Sequence, residues 1–321
     1  MKPFLKVGFT LLCFTLSPWV LAESTAINLA NAKTLKIERG MTEEGRACIS
    51  CHQQTTPGQV EDWTDSRHAH AGITCIDCHQ VPEGSPTAMR HANVEDTPGF
   101  VSPLVSPKVC GRCHVDAKAQ FDASGHFRAY RQIIPKDSLH ALVQVHEGRS
   151  IPELQNAPNE TGCMQCHGTE IKLDENNRPT PETWPNNGMG NIYPDGSTGS
   201  CTACHSRHKF DIAEARHPHA CASCHLGPDH PNIEIFNNSK HGHLYNTEGD
   251  DWNFDTAPDA WEPGDYRGPT CATCHMSGIG ALAVTHNVSE RLYWNLWAKE
   301  SKVRGSDDVL SPLLGDGPAG R

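Results

Sequence analysis

The stretch CTACHSRHKFDIAEARHPHACASCH, residues 201–225, holds the same five-residue unit at both ends: Cys201, Cys204 and His205, then Cys221, Cys224 and His225. Outward from it the unit recurs five more times, at Cys48/Cys51/His52, Cys75/Cys78/His79, Cys110/Cys113/His114, Cys163/Cys166/His167 and Cys271/Cys274/His275. This composition would give only about 0.04 C-x-x-C-H strings by chance, and the pattern's specific meaning is c-type haem attachment. Two thiols one short turn apart reach the two vinyl groups of a porphyrin, and the adjacent imidazole becomes the proximal iron ligand. Zinc ribbons have no need of a histidine after every second cysteine. A disulfide framework belongs to small domains and does not need seven placed imidazoles either. The sequence therefore implies seven covalently bound haem c groups.

Composition agrees with a chain whose interior is largely cofactor. Of 321 residues, 37% are hydrophobic and 7% aromatic, against 15 Cys, 20 His, 27 Gly and 23 Pro. Flat apolar macrocycles then replace much of the usual side-chain core. The motifs are irregularly spaced, which excludes a solenoid. Turn-rich segments such as Pro82–Pro86 and Arg178–Pro181 separate them. The expected fold is mainly α, an irregular multihaem cytochrome c with short helices, long loops and few or no strands. The clearest helix runs from Asn287 to about Lys302, with Val288, Leu292, Trp294, Leu296 and Trp297 on an apolar face and Gly305-Ser306 ending it. Its reading is a packing helix.

The first 22 residues resemble an export signal: Lys2 and Lys6, an apolar run over Val7–Val20, then Val20-Leu21-Ala22 as a cleavage site. Cleavage near Ala22 removes Cys13 and leaves an even fourteen cysteines, all in motifs. No later apolar run approaches the roughly 20 residues of a membrane helix. The expected mature protein is periplasmic, with a lead-in at 23–45, a haem domain at 46–297 and a tail at 298–321. With 27 basic against 38 acidic side chains, a formal charge of −11, no stripe is left to neutralise phosphates. Nucleic-acid binding is thereby excluded.

Thirteen histidines remain outside the motifs: His68, His70, His91, His126, His140, His146, His208, His217, His219, His230, His241, His243 and His286. Six-coordinate electron-transfer haems need a second axial ligand, and only six Met are present. Bis-His ligation at low potential is expected for most irons. Whether one iron is left open is not decided by the spacing.

The strings CTACHSRHKF (201–210) and ACASCHLGPDHPNIEIFNNSKHGHL (220–244) resemble the hydroxylamine oxidoreductase family of octahaem cytochromes. So do CISCH with Ser66-Arg67-His68-Ala69, CIDCH, and CATCHM followed by Thr285-His286-Asn287; the resemblance covers roughly 46–297. It implies that the fourth haem, on Cys163, Cys166 and His167, is catalytic with an open distal face, and that Asp229 and His230 form the distal pocket. It further implies His68, His91, His140, His208, His241 and His286 as distal ligands of the other six haems, with the haem served by each unassigned and His126 a lower-ranked spare. The local alternative for Asp229-His230 is a turn after Gly227-Pro228 with His230 ligating another iron.

The sequence departs from that family in lacking an eighth C-x-x-C-H before Arg321. It is expected to be either a fragment, with an eighth haem further on, or a shortened seven-haem variant whose uncovered haem edge favours self-association or a docking cytochrome. The family's cross-linking tyrosine has no counterpart in these residues, so its reductive members are the nearer comparison. Two functional classes stay open. One is an oxidoreductase interconverting small nitrogen oxyspecies (hydroxylamine, nitrite, nitric oxide), exchanging electrons with a partner cytochrome or a quinol-linked donor or acceptor. The other is a non-catalytic electron carrier with all irons six-coordinate.

Overall fold

The computed structural model describes residues 40–91, 99–133, 163–227, 230–277 and 283–291. The expected leader, the 298–321 tail, His140, His146, Asp229 and all of the Asn287–Lys302 helix beyond Arg291 lie outside them. The described start of that segment, Val288–Arg291, is a 3-10 turn.

Among the described residues the architecture is short helices tied by long loops, the longest being Glu43–Thr55 at 13 residues. Its start is set chemically: the Thr42 side chain accepts from the Gly45 N–H at 3.1 Å, and Glu43 and Glu44 complement the helix dipole. The first motif rides on this helix. Gly45 lies against Thr74, so close that a Cβ there would come within 2.7 Å of Thr74 Oγ1, which brings the first motif's helix onto the start of the second.

The helices Cys75–His79 and Cys271–His275 consist of the motifs themselves. Each is preceded by a threonine whose N–H is held by the side chain three residues on. Asp77 Oδ2 accepts from Thr74 N–H at 2.8 Å, and Thr273 Oγ1 accepts from Thr270 N–H at 2.9 Å. Among the described residues the paired strands are Met89–Arg90 and Phe100–Val101, antiparallel, with Met89 opposite Val101. Their role is positional. The chain leaving them donates from Ser102 N–H to the His79 carbonyl at 2.8 Å.

Among the described residues two aromatic and aliphatic clusters form the side-chain core. One joins Trp252, Phe254, Trp261 and Tyr266, with Leu244 and Tyr245 against it; the other joins Leu104, Ile171 and Tyr193, with Leu173 and Trp184. The most completely buried side chains are instead small or polar, including Asn191, Thr273, Ser66, Ser102 and Ser200. Small side chains at the deepest positions let segments of chain approach closely, while Trp252, Phe254 and Trp261 supply the large apolar surface.

The loop after the fourth motif is held by Asn191, which is fully buried. Its Oδ1 accepts from Thr169 N–H and its Nδ2 donates to the Asn186 carbonyl, both at 2.9 Å. Gly168 ends the motif turn at φ +85°, and a Cβ there would lie 2.5 Å from the Asn191 nitrogen, so only glycine fits. Met189 and Gly190 N–H groups then donate back to the Cys166 and His167 carbonyls at 2.9 and 3.1 Å. Among the described residues no helix is long and apolar enough to cross a membrane.

Candidate functional site

Every motif is close to one helical turn. The histidine N–H donates to the first cysteine's carbonyl in four of them: His114 to Cys110 at 2.9 Å, His167 to Cys163 at 3.0 Å, His205 to Cys201 at 3.1 Å and His225 to Cys221 at 2.9 Å. Such a turn brings the two thiols to one side and the imidazole to its end.

No disulfide joins motif thiols among the described residues, and none of these cysteines is sealed in the core. Twelve of them are half-buried, whereas Cys51 and Cys113 are exposed. The second thiols of the first and third motifs stand at the surface. The reason is their place in the fold. Cys51 sits between exposed Ser50 and exposed Gln53 near the end of the helix Glu43–Thr55, with only His52 beside it turned partly inward. Cys113 belongs to the exposed run Arg112–Val115, in which Val115 is 61% exposed. Exposure does not remove either from the attachment set. A thioether forms at the rim of the porphyrin, where its vinyl groups lie, so the second thiol of a pair can reach it from the solvent side.

The motif imidazoles are oriented from behind. His79 Nδ1 donates to the Ser102 carbonyl at 2.7 Å, and His167 Nδ1 to the Ala129 carbonyl at 3.0 Å. His225 Nδ1 meets Asn232 Oδ1 at 3.3 Å, and His52 Nδ1 meets Thr56 Oγ1 at 2.9 Å. A carbonyl only accepts, so Nδ1 carries the proton and Nε2 presents a lone pair, the tautomer a metal requires.

Opposite these rings stand histidines from distant parts of the chain. Ring centroids are 6.2 Å apart for His52 and His91, 6.1 Å for His79 and His208, and 6.0 Å for His114 and His68. They are 6.5 Å apart for His205 and His286, and 6.1 Å for His225 and His126. Two metal–imidazole bonds of about 2 Å, with a ring radius of roughly 1 Å on each side, give the same separation of about 6 Å. Rings touching each other face to face would lie closer. The residues thus fit a haem iron between each pair, with paired thiols beside it. Among the described residues no three His, Cys, Asp or Glu side chains converge as a metal cage.

Of the six distal ligands implied by the resemblance, the structure brings His68, His91, His208 and His286 each to one motif imidazole. His140 lies outside the described residues. His241 is exposed on the helix Lys240–Glu248, and no ring contact joins it to a motif imidazole among the described residues. His126, ranked below these on sequence, faces His225. The helix Val115–Ala123 ends at buried Ser124, and the Gly125 N–H donates to Ser289 Oγ at 2.8 Å. That docking fixes where the following His126 sits, and nothing local in the sequence announces it. His230 also lies near His225, 6.0 Å away and edge-on.

Burial disfavours protonation of His68, His79, His126, His205, His208, His225, His275 and His286. It pushes His126 and His286 down to about 4, helped by the neighbouring His225 in the first case and by His205 and His114 in the second. Burial likewise pushes the Cys78 and Cys204 thiols up to about 11.

Thiols of different motifs also meet. The Cys110 and Cys201 sulfurs approach within hydrogen-bonding reach, as do those of Cys221 and Cys271 and those of Cys166 and Cys224. Cys48 lies within electrostatic reach of Cys75, Cys78 of Cys110 and Cys113, and Cys204 of Cys224. In spatial order the motifs run first, second, third, fifth and sixth, with the fourth and the seventh both adjoining the sixth.

Comparison with known proteins agrees with this geometry. A family model described as "Seven times multi-haem cytochrome CxxCH" matches residues 195–308, and one described as "Cytochrome c3" matches 136–226. A probable nitrite reductase-hydroxylamine oxidoreductase fusion protein of Kuenenia stuttgartiensis is 30% identical over 277 residues, covering 78% of this chain and 27% of that protein. The multihaem cytochrome MtrA of Shewanella baltica is 25% identical over 142 residues, covering 44% of this chain and 36% of its own length. The chain thus spans about a third or less of these curated relatives. Among solved structures, a hypothetical multihaem protein has a TM-score of 0.65 at 29% identity over 82% of this chain and 60% of its own. A reducing hydroxylamine-oxidoreductase-like complex of Kuenenia stuttgartiensis has a TM-score of 0.51 at 25% identity, over 79% and 45%. The chain is a multihaem c-type cytochrome with covalently bound haem c, similar to hydroxylamine-oxidoreductase-like and nitrite reductase proteins.

Proposed function

We propose that this cytochrome carries seven haems, one on each C-x-x-C-H, and that six of them form an electron wire serving a substrate-binding haem on Cys163, Cys166 and His167. The observation that carries this reading is the set of five imidazole pairs with centroids 6.0–6.5 Å apart, each joining a motif histidine to one far away in sequence. In this assignment His91 serves the first haem, His208 the second, His68 the third, His286 the fifth and His126 the sixth. Electrons travel along the spatial row of motifs, and the sixth is the junction to the fourth.

A haem held on Cys163, Cys166 and His167 would supply the binding place and redox chemistry for a small nitrogen oxyspecies such as hydroxylamine, nitrite or nitric oxide. The chain's own residues do the rest. The Ala129 carbonyl holds His167 in its ligating tautomer. His230 lies within electrostatic reach of Cys224, whose sulfur approaches Cys166 of the fourth motif, and in this reading its imidazole hands protons to that site. Asp229 next to it is the accompanying carboxylate. Export to the periplasm, exchange of electrons with a partner cytochrome or quinol-linked protein, and self-association belong to the same reading.

The second reading, a carrier with every iron six-coordinate, draws on the 6.0 Å between His225 and His230. Two rings stand at ligating distance from His225, and one iron takes only one of them opposite it. Cyanide and nitrite titration of the purified holoprotein, followed by electron paramagnetic resonance, separates the two. One high-spin haem per chain that binds both ligands supports the catalytic reading, and complete absence of ligand binding defeats it.

A further inference from the structure

The two arginines buried most deeply among the described residues, Arg216 and Arg291, both touch the seventh motif. Arg216 does so through its backbone: its carbonyl accepts from Thr270 Oγ1 at 2.9 Å. Its guanidinium points elsewhere, donating to the Phe254 and Thr256 carbonyls at 2.6 Å and lying 4.4 Å from the Trp261 ring centre. Arg291 touches the motif with its charge. Its Nη1 donates to the Cys274 carbonyl at 3.0 Å and to the Ser277 carbonyl at 2.7 Å, and its Nη2 donates to the Ala283 carbonyl.

The guanidinium therefore caps the C-terminal end of the helix Cys271–His275, where the dipole favours a cation. It stays protonated at neutral pH, and at 4% exposure little water or salt screens it. Glu290 lies within electrostatic reach of it, its own carboxylate accepting from Asn287 Nδ2 at 3.2 Å. The cation sits on the motif's own backbone, one hydrogen bond from the Cys274 carbonyl. A fixed positive charge held there favours an electron gained nearby.

We propose that Arg291 is a positioning residue that raises the reduction potential of the haem held by Cys271, Cys274 and His275. This haem then serves as the electron sink at one end of the row. The proposal rests on the attachment reading above. Each electron gained at this haem is lost by the neighbouring haem of the sixth motif, and no proton need accompany it.

The test uses the full-length holoprotein, with Arg291→Gln and Arg291→Lys as variants. Mass spectrometry of the peptide containing Cys271–His275 reports whether haem is attached there, and a stepwise potentiometric titration reports each haem's midpoint. Arg291→Gln is expected to make one of the seven components about tenfold harder to reduce, 59 mV lower for one electron, with the other six in place. Arg291→Lys keeps the charge with fewer hydrogen bonds and is expected to leave that component near its original midpoint. A loaded Arg291→Gln protein with no component displaced overturns the proposal, as does an Arg291→Lys protein displaced as far as Arg291→Gln. If Arg291→Gln loses haem at this motif, Arg291→Lys decides: loaded and undisplaced supports the role, loaded and displaced overturns it, and loss of haem there as well overturns a role through charge. A wild-type peptide without haem would instead refute the attachment reading itself.

Discussion

Removing the His126 imidazole is the sharpest perturbation of the proposed wire. The 6.1 Å between the His126 and His225 centroids leaves room for one iron between two nitrogens at about 2 Å each. His126→Gly deletes the whole ring and opens a place that free imidazole can refill. At pH 7 His126 is neutral, since burial holds it near 4, so the ligating form is fully populated and nothing is lost to protonation. The expected change is one haem equivalent of the seven passing from low spin to high spin, with haem content per chain unchanged. Imidazole at millimolar concentration should restore the low-spin count. Electron paramagnetic resonance of the oxidised protein, integrated against a haem standard, reads the number directly. His230→Gly is the comparison, because its ring also stands 6.0 Å from His225. An unchanged low-spin count in His126→Gly, or a new high-spin haem appearing in His230→Gly instead, would refute the assignment of His126 to the sixth iron.

Acidification should act with a definite sign. His126 and His286 sit near 4 in the fold against an ordinary 6.5, so the unfolded chain takes up protons first as pH falls. Their contribution is complete above about pH 6.5 and is lost as pH falls from there toward 4, readable as a falling denaturant midpoint; a midpoint flat over that range would contradict it. Asn191→Leu leaves the Thr169 N–H and the Asn186 carbonyl without their partner and should cost about 2–4 kcal/mol in denaturant unfolding; a loss under half a kcal/mol would show that the loop is held otherwise. Thr270→Val removes the hydroxyl bonded to the Arg216 carbonyl at the start of the seventh motif. A cost of about 1–2 kcal/mol is expected from unfolding curves, and no cost would remove Thr270 from the account.

What was legible in the sequence is what is local. The attachment unit occupies five residues, and one helical turn is enough to build it, so Cys75–His79 and Cys271–His275 could be read as they stand. The threonines before them were not singled out, although the Thr-x-x-Asp pattern at Thr74 and Asp77 is a visible capping signal. The exposure of Cys51 and Cys113 was not legible, because seven identical units carry no mark of which ones the rest of the chain leaves uncovered. Distal histidines are different in kind. The residue facing a motif is chosen by packing between segments that lie far apart along the chain, as with His286 beside His205 and His68 beside His114. The family resemblance supplies four of these five histidines and ranks His126 below them, because its position depends on the docking of Gly125 against Ser289. The loop order around the sixth motif and the Arg291 clamp are tertiary facts of the same sort. Gly168 and Asn191 had no sequence signature either, because a tight backbone approach shows only when both strands of chain are in place.

The most direct measurement is a crystal structure of the haem-loaded protein with anomalous data collected at the iron edge. The expected result is seven iron positions, five of them midway between His52 and His91, His79 and His208, His114 and His68, His205 and His286, and His225 and His126. An eighth site would add to the count without disturbing these five. Iron found away from these midpoints, or histidine rings paired with no iron between them, would contradict the claim on which the wire, its junction and its substrate-binding branch all depend.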